Sequence, residues 1–288
     1  MEVVQKTYIC CFSKTCRMKE LFKRSITGIL YVFLLLSAVM LNTEAFNFLF
    51  LIFGLVCLYE FKKIIKLSGY YIFISFLGLW WLFIYLLENF KQKQSLALIL
   101  LTATLLTNFF LLSELFNKNT SKYSNTVRFL ISLFYIGSGC IFLTMIPYYE
   151  YHFAKSLIIG IFILIWVNDS FAFLVGKSFG KKKLFPSVSP KKTIEGFIGG
   201  LVFAIITAFI LSKYHKDLEV WQWFVLTVVV VLTGTLGDLI ESKFKRMAGV
   251  KDSGAILPGH GGLLDRLDSL VYAAPFAYLT LQIFAYVS

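Results

Sequence analysis

Nine runs of mostly apolar residues, at 26–41, 45–60, 70–87, 95–116, 127–146, 156–176, 194–211, 221–240 and 269–286, restrict what this chain can become. A helix needs roughly 20 such residues to cross the hydrocarbon core of a bilayer. The first two runs are short, with Asn42 to Glu44 expected as a tight turn between them. Backbone polar groups in lipid must be satisfied inside a helix or a closed barrel. The runs lack period-2 alternation, which favours helices over barrel strands. Composition agrees, since 58% of the 288 residues are apolar and only 15% are charged. An ordinary globular chain has about 25% charged residues. Too little polar surface remains here to clothe a soluble domain. The expected fold class is all-α, a polytopic integral membrane protein of about nine transmembrane helices.

The net charge of +12 would suggest nucleic acid on a soluble protein. Its distribution argues otherwise. With nine spans, 23 of the Lys and Arg residues fall in one alternate set of loops and tail, and five in the other: Lys91, Lys93, Lys155, Lys213 and Lys216. Basic loops mark the cytoplasmic side. The N-terminus is therefore expected in the cytoplasm, the C-terminus outside, and no nucleic-acid partner is expected. No small-x-small cleavage site follows the first run, so it is expected as an uncleaved span. Cys10, Cys11 and Cys16 lack a fourth ligand at zinc-like spacing and read as free thiols in a basic tail.

Three regions are expected: the basic tail 1–25, a transmembrane scaffold of about five helices over 26–150, and a chemical region of about four helices over 151–288. In the scaffold, Glu60 and Glu114 read as interfacial, and Trp80 and Trp81 as lipid-facing. The second half is different. Asn168-Asp169-Ser170 lies inside the sixth run, where an ionisable side chain costs about 2.5–3.5 kcal/mol on insertion scales and normally faces a polar cavity or partner. Asp238, Glu241 and Ser242 share one helix face by their i, i+3, i+4 spacing, and Asp265 and Asp268 repeat at i, i+3. All lie toward the cytoplasmic mouths of their helices.

Two loops, 176–193 and 241–268, carry the remaining signal. The first holds six lysines from Lys177 to Lys192 and leads through Ser189 and Pro190 into a helix start near Thr193 and Glu195. Free N–H groups at such a start suit an anion, although lysines of this kind also bind anionic head groups without any site. The second alternates Lys243, Lys245, Arg246, Lys251 and Arg266 with Asp252, Asp265 and Asp268, and sets His260 among Gly259, Gly261 and Gly262. Carboxylates suit Mg²⁺, and Lys and Arg suit phosphate oxygens. Glycines let the backbone approach a ligand. His260 has no triad partner at usable spacing and is expected to bind phosphate or shape the loop rather than act as a base.

The stretch from Ser242 to Asp268 resembles the signature of the phosphatidate cytidylyltransferase (CDP-diacylglycerol synthase) family. It is met by Ser242, Lys245, Arg246, Lys251, Asp252, Gly254, Pro258, His260, Gly261, Gly262, Asp265, Arg266 and Asp268. The segments NDSFAFLVGKSFGK (168–181), SPKKTIEG (189–196) and GDLIES (237–242) are similar to that family as well. The resemblance implies a nucleotidyltransferase of phospholipid biosynthesis, with Mg²⁺ as cofactor. Its reaction would join phosphatidic acid to CMP from CTP, giving CDP-diacylglycerol and pyrophosphate at the cytoplasmic face of the cell (inner) membrane. It also suggests Asp238 and Asp265 as metal ligands with Asp268 as a third. Lys245, Arg246, Lys251 and Arg266 would bind phosphates. Asp169, Ser189, Lys191, Lys192, Glu195, His260, Gly261 and Gly262 would line the substrate site. A phosphomonoester is largely ionised at neutral pH, its second pKa being about 6, so the nucleophile needs no strong base.

Two points stay open at this level: whether a second cation joins Mg²⁺, and whether the protein is a homodimer. An ion-coupled carrier is the main alternative, but the charges gather at one membrane face and no inverted repeat is seen. Lipid transferases that consume CDP-lipid carry a different glycine–alanine–arginine pattern, absent here. A bare scaffold would explain the spans and not the loop at 241–268.

Overall fold

The computed structural model describes residues 14–86, 93–117, 123–149, 152–257 and 261–287. Among these, nine helical segments follow in order: α1 (Lys14–Leu41), α2 (Thr43–Ile64), α3 (Tyr71–Tyr85), α4 (Lys93–Phe116), α5 (Asn125–Met145), α6 (Lys155–Phe179), α7 (Ile194–Tyr214), α8 (Val220–Met247) and α9 (Leu264–Val287). A two-stranded hairpin, β1 (Tyr148–Tyr149) with β2 (His152–Phe153), joins α5 to α6. A second, β3 (Lys183–Phe185) with β4 (Ser189–Thr193), joins α6 to α7. The molecule is an all-α, multi-pass membrane protein.

Seven helices are long and apolar enough to cross a bilayer; the apolar parts of the other two, Ile26–Leu41 and Tyr71–Tyr85, are shorter. The second run is thus not a short span. Asn42 accepts a hydrogen bond from Ala45 N (2.7 Å) as N-cap, so α2 starts one residue later and runs on to Ile64. Charged residues can continue a helix beyond its apolar stretch. Accordingly α8 runs seven residues past the expected end at 240, and α9 begins five residues before 269. Asp238, Glu241, Ser242, Lys245 and Arg246 therefore stand on one helix, and Asp265 and Asp268 on another, where a loop over 241–268 is expected from hydropathy.

One further expectation is corrected. Trp81 is exposed to the outside, but its neighbour Trp80 is buried against Phe76. Glu60, expected at the membrane interface, is 1% exposed and enclosed by protein.

α9 is the central helix, with most of its residues buried against α8, α5 and α4. Small residues let the helices approach, as lipid-embedded packing requires. Gly196, Gly200, Ala204 and Ala208 form a buried row on α7 at four-residue spacing. A Cβ on Gly200 would sit 2.5 Å from Asn168 Oδ1 of α6. A Cβ on Gly237 would meet Tyr272 Cβ at 2.6 Å and the Asp268 carbonyl at 2.8 Å, which fixes how closely α8 lies on α9. Polar contacts add specificity: Thr104 and Ser138 bond across α4 and α5 (2.7 Å), and Tyr272 donates to the Asn108 carbonyl (3.0 Å). Outward faces are apolar, with Phe33, Phe48, Ile74, Leu106 and Phe209 exposed. That is the surface a lipid solvent favours.

Candidate active site

The polar residues of the second half converge where the C-terminal part of α8, the N-terminal turns of α9, strand β4 and the middle of α6 meet. Asp238, Glu241 and Asp268 place carboxylate oxygens within 4.8 Å of one another. The spacing on α8 turns Asp238 and Glu241 to the same side, and the close approach at Gly237 brings Asp268 of α9 against them. Glu241 is fully buried and Asp268 is 7% exposed. Lys245 Nζ pairs with Glu241 Oε2, while Glu241 Oε1 has no hydrogen-bond partner among the described residues. Three hard oxygen donors, one of them buried and unpartnered, fit a divalent cation such as Mg²⁺.

Asp265 lies outside this group. Its oxygens accept from Lys245 Nζ (2.7 Å), Ser253 N (2.9 Å to Oδ2) and Gly262 N (2.8 Å), so in-chain donors already surround it. Lys245 thus bridges Glu241 and Asp265. Lys192 of β4 pairs with Asp238. Burial pulls the Lys192 ammonium down, but Asp238 and, further off, Asp169 and Asp268 outweigh it and hold its pKa above the ordinary lysine value.

A cavity of about 290 Å³ opens beside the cluster. Asp169, Asp265, Arg266 and Asp268 line it, with Leu257 and, from α1, Tyr31. The Tyr31 hydroxyl is buried there with no hydrogen-bond partner among the described residues. Lys191, Lys251 and Arg246 are exposed, and Arg246 donates weakly to the Val188 (3.4 Å) and Val250 (3.3 Å) carbonyls. Ser189 lies on β4. Thr193 caps α7 through Gly196 N (3.1 Å), and Glu195 accepts from Lys181 N (3.0 Å) and Lys182 N (3.1 Å), tying the hairpin to the helix start. Gly261 takes a positive φ of 87°, and its Cβ would lie 2.8 Å from Asp265 Oδ2. His260 falls outside the described residues.

Sequence reasoning left three residues of this region out of the site. Glu241 was visible as the i+3 neighbour of Asp238. Glu60 had one signal, a carboxylate enclosed by Leu58, Tyr59 and Phe61. Nothing in the first apolar run distinguished Tyr31.

Helices and site together define a multi-pass membrane protein with a carboxylate cluster and a cavity at one end of its bundle. Comparison with known proteins places it further. Residues 22–284 match the model of the cytidylyltransferase family. A phosphatidate cytidylyltransferase of Bacillus subtilis is 34% identical over 284 residues, covering 93% of this chain and 100% of that protein. Proteins of the same name from Staphylococcus saprophyticus and Staphylococcus aureus are 38% and 42% identical, over 60% and 57% of this chain. Those two alignments span 66% and 62% of the relatives' own lengths. The chain belongs to the cytidylyltransferase family and is a nucleotidyltransferase.

Proposed function

We propose that the protein is a phosphatidate cytidylyltransferase, which transfers CMP from CTP to phosphatidic acid. A phosphate oxygen of the lipid forms a bond to the α-phosphorus of CTP. The bond from that phosphorus to the oxygen bridging to the β-phosphate breaks, and pyrophosphate leaves with the electron pair. The observation that carries this reading is the cluster of Asp238, Glu241 and Asp268 beside a cavity lined by Arg266, in a chain alignable along nearly its whole length with a protein of that name.

Asp238, Glu241 and Asp268 are the residues that would hold Mg²⁺. Bound there, the cation would neutralise phosphate charge and favour attack at phosphorus. Asp265 takes a different part here, holding Lys245 and the backbone at Ser253 and Gly262. Arg266, with Lys251, Arg246 and Lys191, offers charge to phosphate oxygens. Lys192 remains protonated through its carboxylate neighbours, and an arriving polyphosphate competes with Asp238 for it. On the α1 wall of the cavity, Val32 and the ring of Tyr31 suit the lipid end of the substrate. No residue needs to act as a strong base, because a phosphomonoester is mostly ionised at neutral pH.

The same reading puts nine spans in the cell membrane, the N-terminus in the cytoplasm and the site at the cytoplasmic face, where CTP is available. The test is conversion of labelled CTP with phosphatidic acid by detergent-purified protein, with and without Mg²⁺. Metal-dependent CDP-diacylglycerol is expected, lost on chelation and restored by Mg²⁺. Protein that forms none under any divalent cation overturns the proposal.

A further inference from the structure

Glu60 belongs to the half of the chain that otherwise reads as scaffold, and the mechanism above does not use it. A carboxylate with 1% exposure needs partners to remain in the interior. Its three hydrogen-bond donors among the described residues come from the region around the α9 start. Oε1 accepts from Leu263 N (3.2 Å), and Oε2 accepts from Leu264 N (2.9 Å) and from the Ser253 hydroxyl (3.1 Å). The first N–H groups of a helix have no partner within it, and its N-terminal end is electropositive. Glu60, arriving from α2, therefore caps α9 in trans.

The next residues along α9 are Asp265, Arg266 and Asp268. From the other side, Asp265 accepts from Ser253 N and Gly262 N. The same short stretches, Ser253–Gly254 and Gly262–Leu264, are thus held between two carboxylates. Both glycines lie close against the Glu60 side chain. A Cβ on Gly254 would lie 2.2 Å from Glu60 Oε1, and one on Gly262 would lie 1.9 Å from Ser253 Oγ and 2.6 Å from Glu60 Oε2. Neither glycine has a positive φ, so a methyl at either is opposed not by backbone conformation but by the Glu60 side chain, which would have to move.

The geometry points to Glu60 as a positioning residue for CMP transfer: it fixes the N-terminus of α9, and so the placement of Asp268 and Arg266 against the carboxylates of α8. It touches no reacting atom. This inference rests on the functional reading above.

The experiment compares full-length wild type with Glu60→Gln, Glu60→Ala, Gly254→Ala, the double variant Glu60→Ala/Gly254→Ala, and Phe50→Leu as an equally buried α2 control. Two quantities are measured in detergent: hydrogen exchange of the peptide covering 261–268, and kcat with saturating CTP and phosphatidic acid. Both Glu60 variants should speed exchange at Leu263 and Leu264 at least tenfold, leave exchange within α2 unchanged, and lower kcat at least tenfold. Phe50→Leu should move neither. Gly254→Ala should reproduce the Glu60 defect, because its methyl displaces the carboxylate. The double variant should be no worse than Glu60→Ala, since the clash requires the carboxylate. Glu60→Gln is nearly isosteric and keeps the test valid should Glu60→Ala fail to fold. Wild-type exchange at 263–264 in Glu60→Gln, faster exchange with unchanged kcat, or additive losses in the double variant would each overturn the inference. A wild type that converts no CTP instead overturns the functional reading and the catalytic half of this inference, while exchange still decides whether Glu60 holds the α9 start.

Discussion

Glu241 distinguishes this site from a set of acidic residues at a membrane surface. Its side chain is fully buried, shares Lys245 with Asp265, and leaves one oxygen with no donor among the described residues. Removing one member of a buried charge pair typically costs about 3–5 kcal/mol, because the other charge is left uncompensated. Glu241→Gln keeps the shape and removes the charge. It should abolish Mg²⁺-dependent CDP-diacylglycerol formation by at least 100-fold, as should Asp238→Asn and Asp268→Asn. Yields of purified, monodisperse protein should stay near wild type for Asp238→Asn, whose carboxylate is only half-buried. Turnover near the wild-type value in any of the three would remove that residue from the metal set. Tyr31→Phe is a subtler case. Loss of a hydroxyl that has no partner among the described residues should leave thermal stability unchanged and raise the KM for phosphatidic acid several-fold, measured at fixed CTP.

At the scale of elements, the site depends on helix ends and on helix approach. Thr193 caps α7, and loss of an N-cap side chain costs about 1 kcal/mol. Thr193→Ala should accordingly lower the midpoint of thermal unfolding in detergent by a few degrees, with a smaller effect on KM for CTP than Lys192→Ala. Gly237→Ala is more severe. Its methyl would meet the Asp268 carbonyl and Tyr272, and such overpacking typically costs about 1–3 kcal/mol. Since the displaced helix carries Asp268, activity should fall further than stability, a split visible by comparing kcat with the unfolding midpoint. These elements were only partly legible beforehand. Hydropathy reports contact with lipid rather than helicity, so it ends the eighth span at 240 although the turns from Glu241 to Met247 remain helical and bury Glu241, Ser242, Phe244 and Lys245. Trp80 and Trp81 are about 100° apart on a helix. In a helix apolar on every face, composition gives no reason to choose which of them is buried.

Across the whole molecule, the orientation proposed from the charge bias is one that labelling can check. In a cysteine-free background, cysteines placed singly at the exposed positions Lys182 and Lys216 lie at opposite ends of α7. The first should react with a membrane-impermeant maleimide only after permeabilisation, the second in intact cells. The reverse pattern would invert the proposed topology. Local order along the chain, namely apolar runs, the excess of Lys and Arg on alternate loops and the spacing of the acidic pairs, suffices for the membrane class, the expected orientation and the family signature between 168 and 268. Those features act through hydrophobic transfer and charge, which depend on composition within a window. Which carboxylates meet depends instead on how far α8 and α9 extend and how closely they pack. That packing brings Asp238, Glu241 and Asp268 together, surrounds Asp265 with donors, and draws Glu60 from 204 residues away onto the N–H of Leu264. No window of sequence contains that contact, because the free energy that selects it belongs to the assembled bundle.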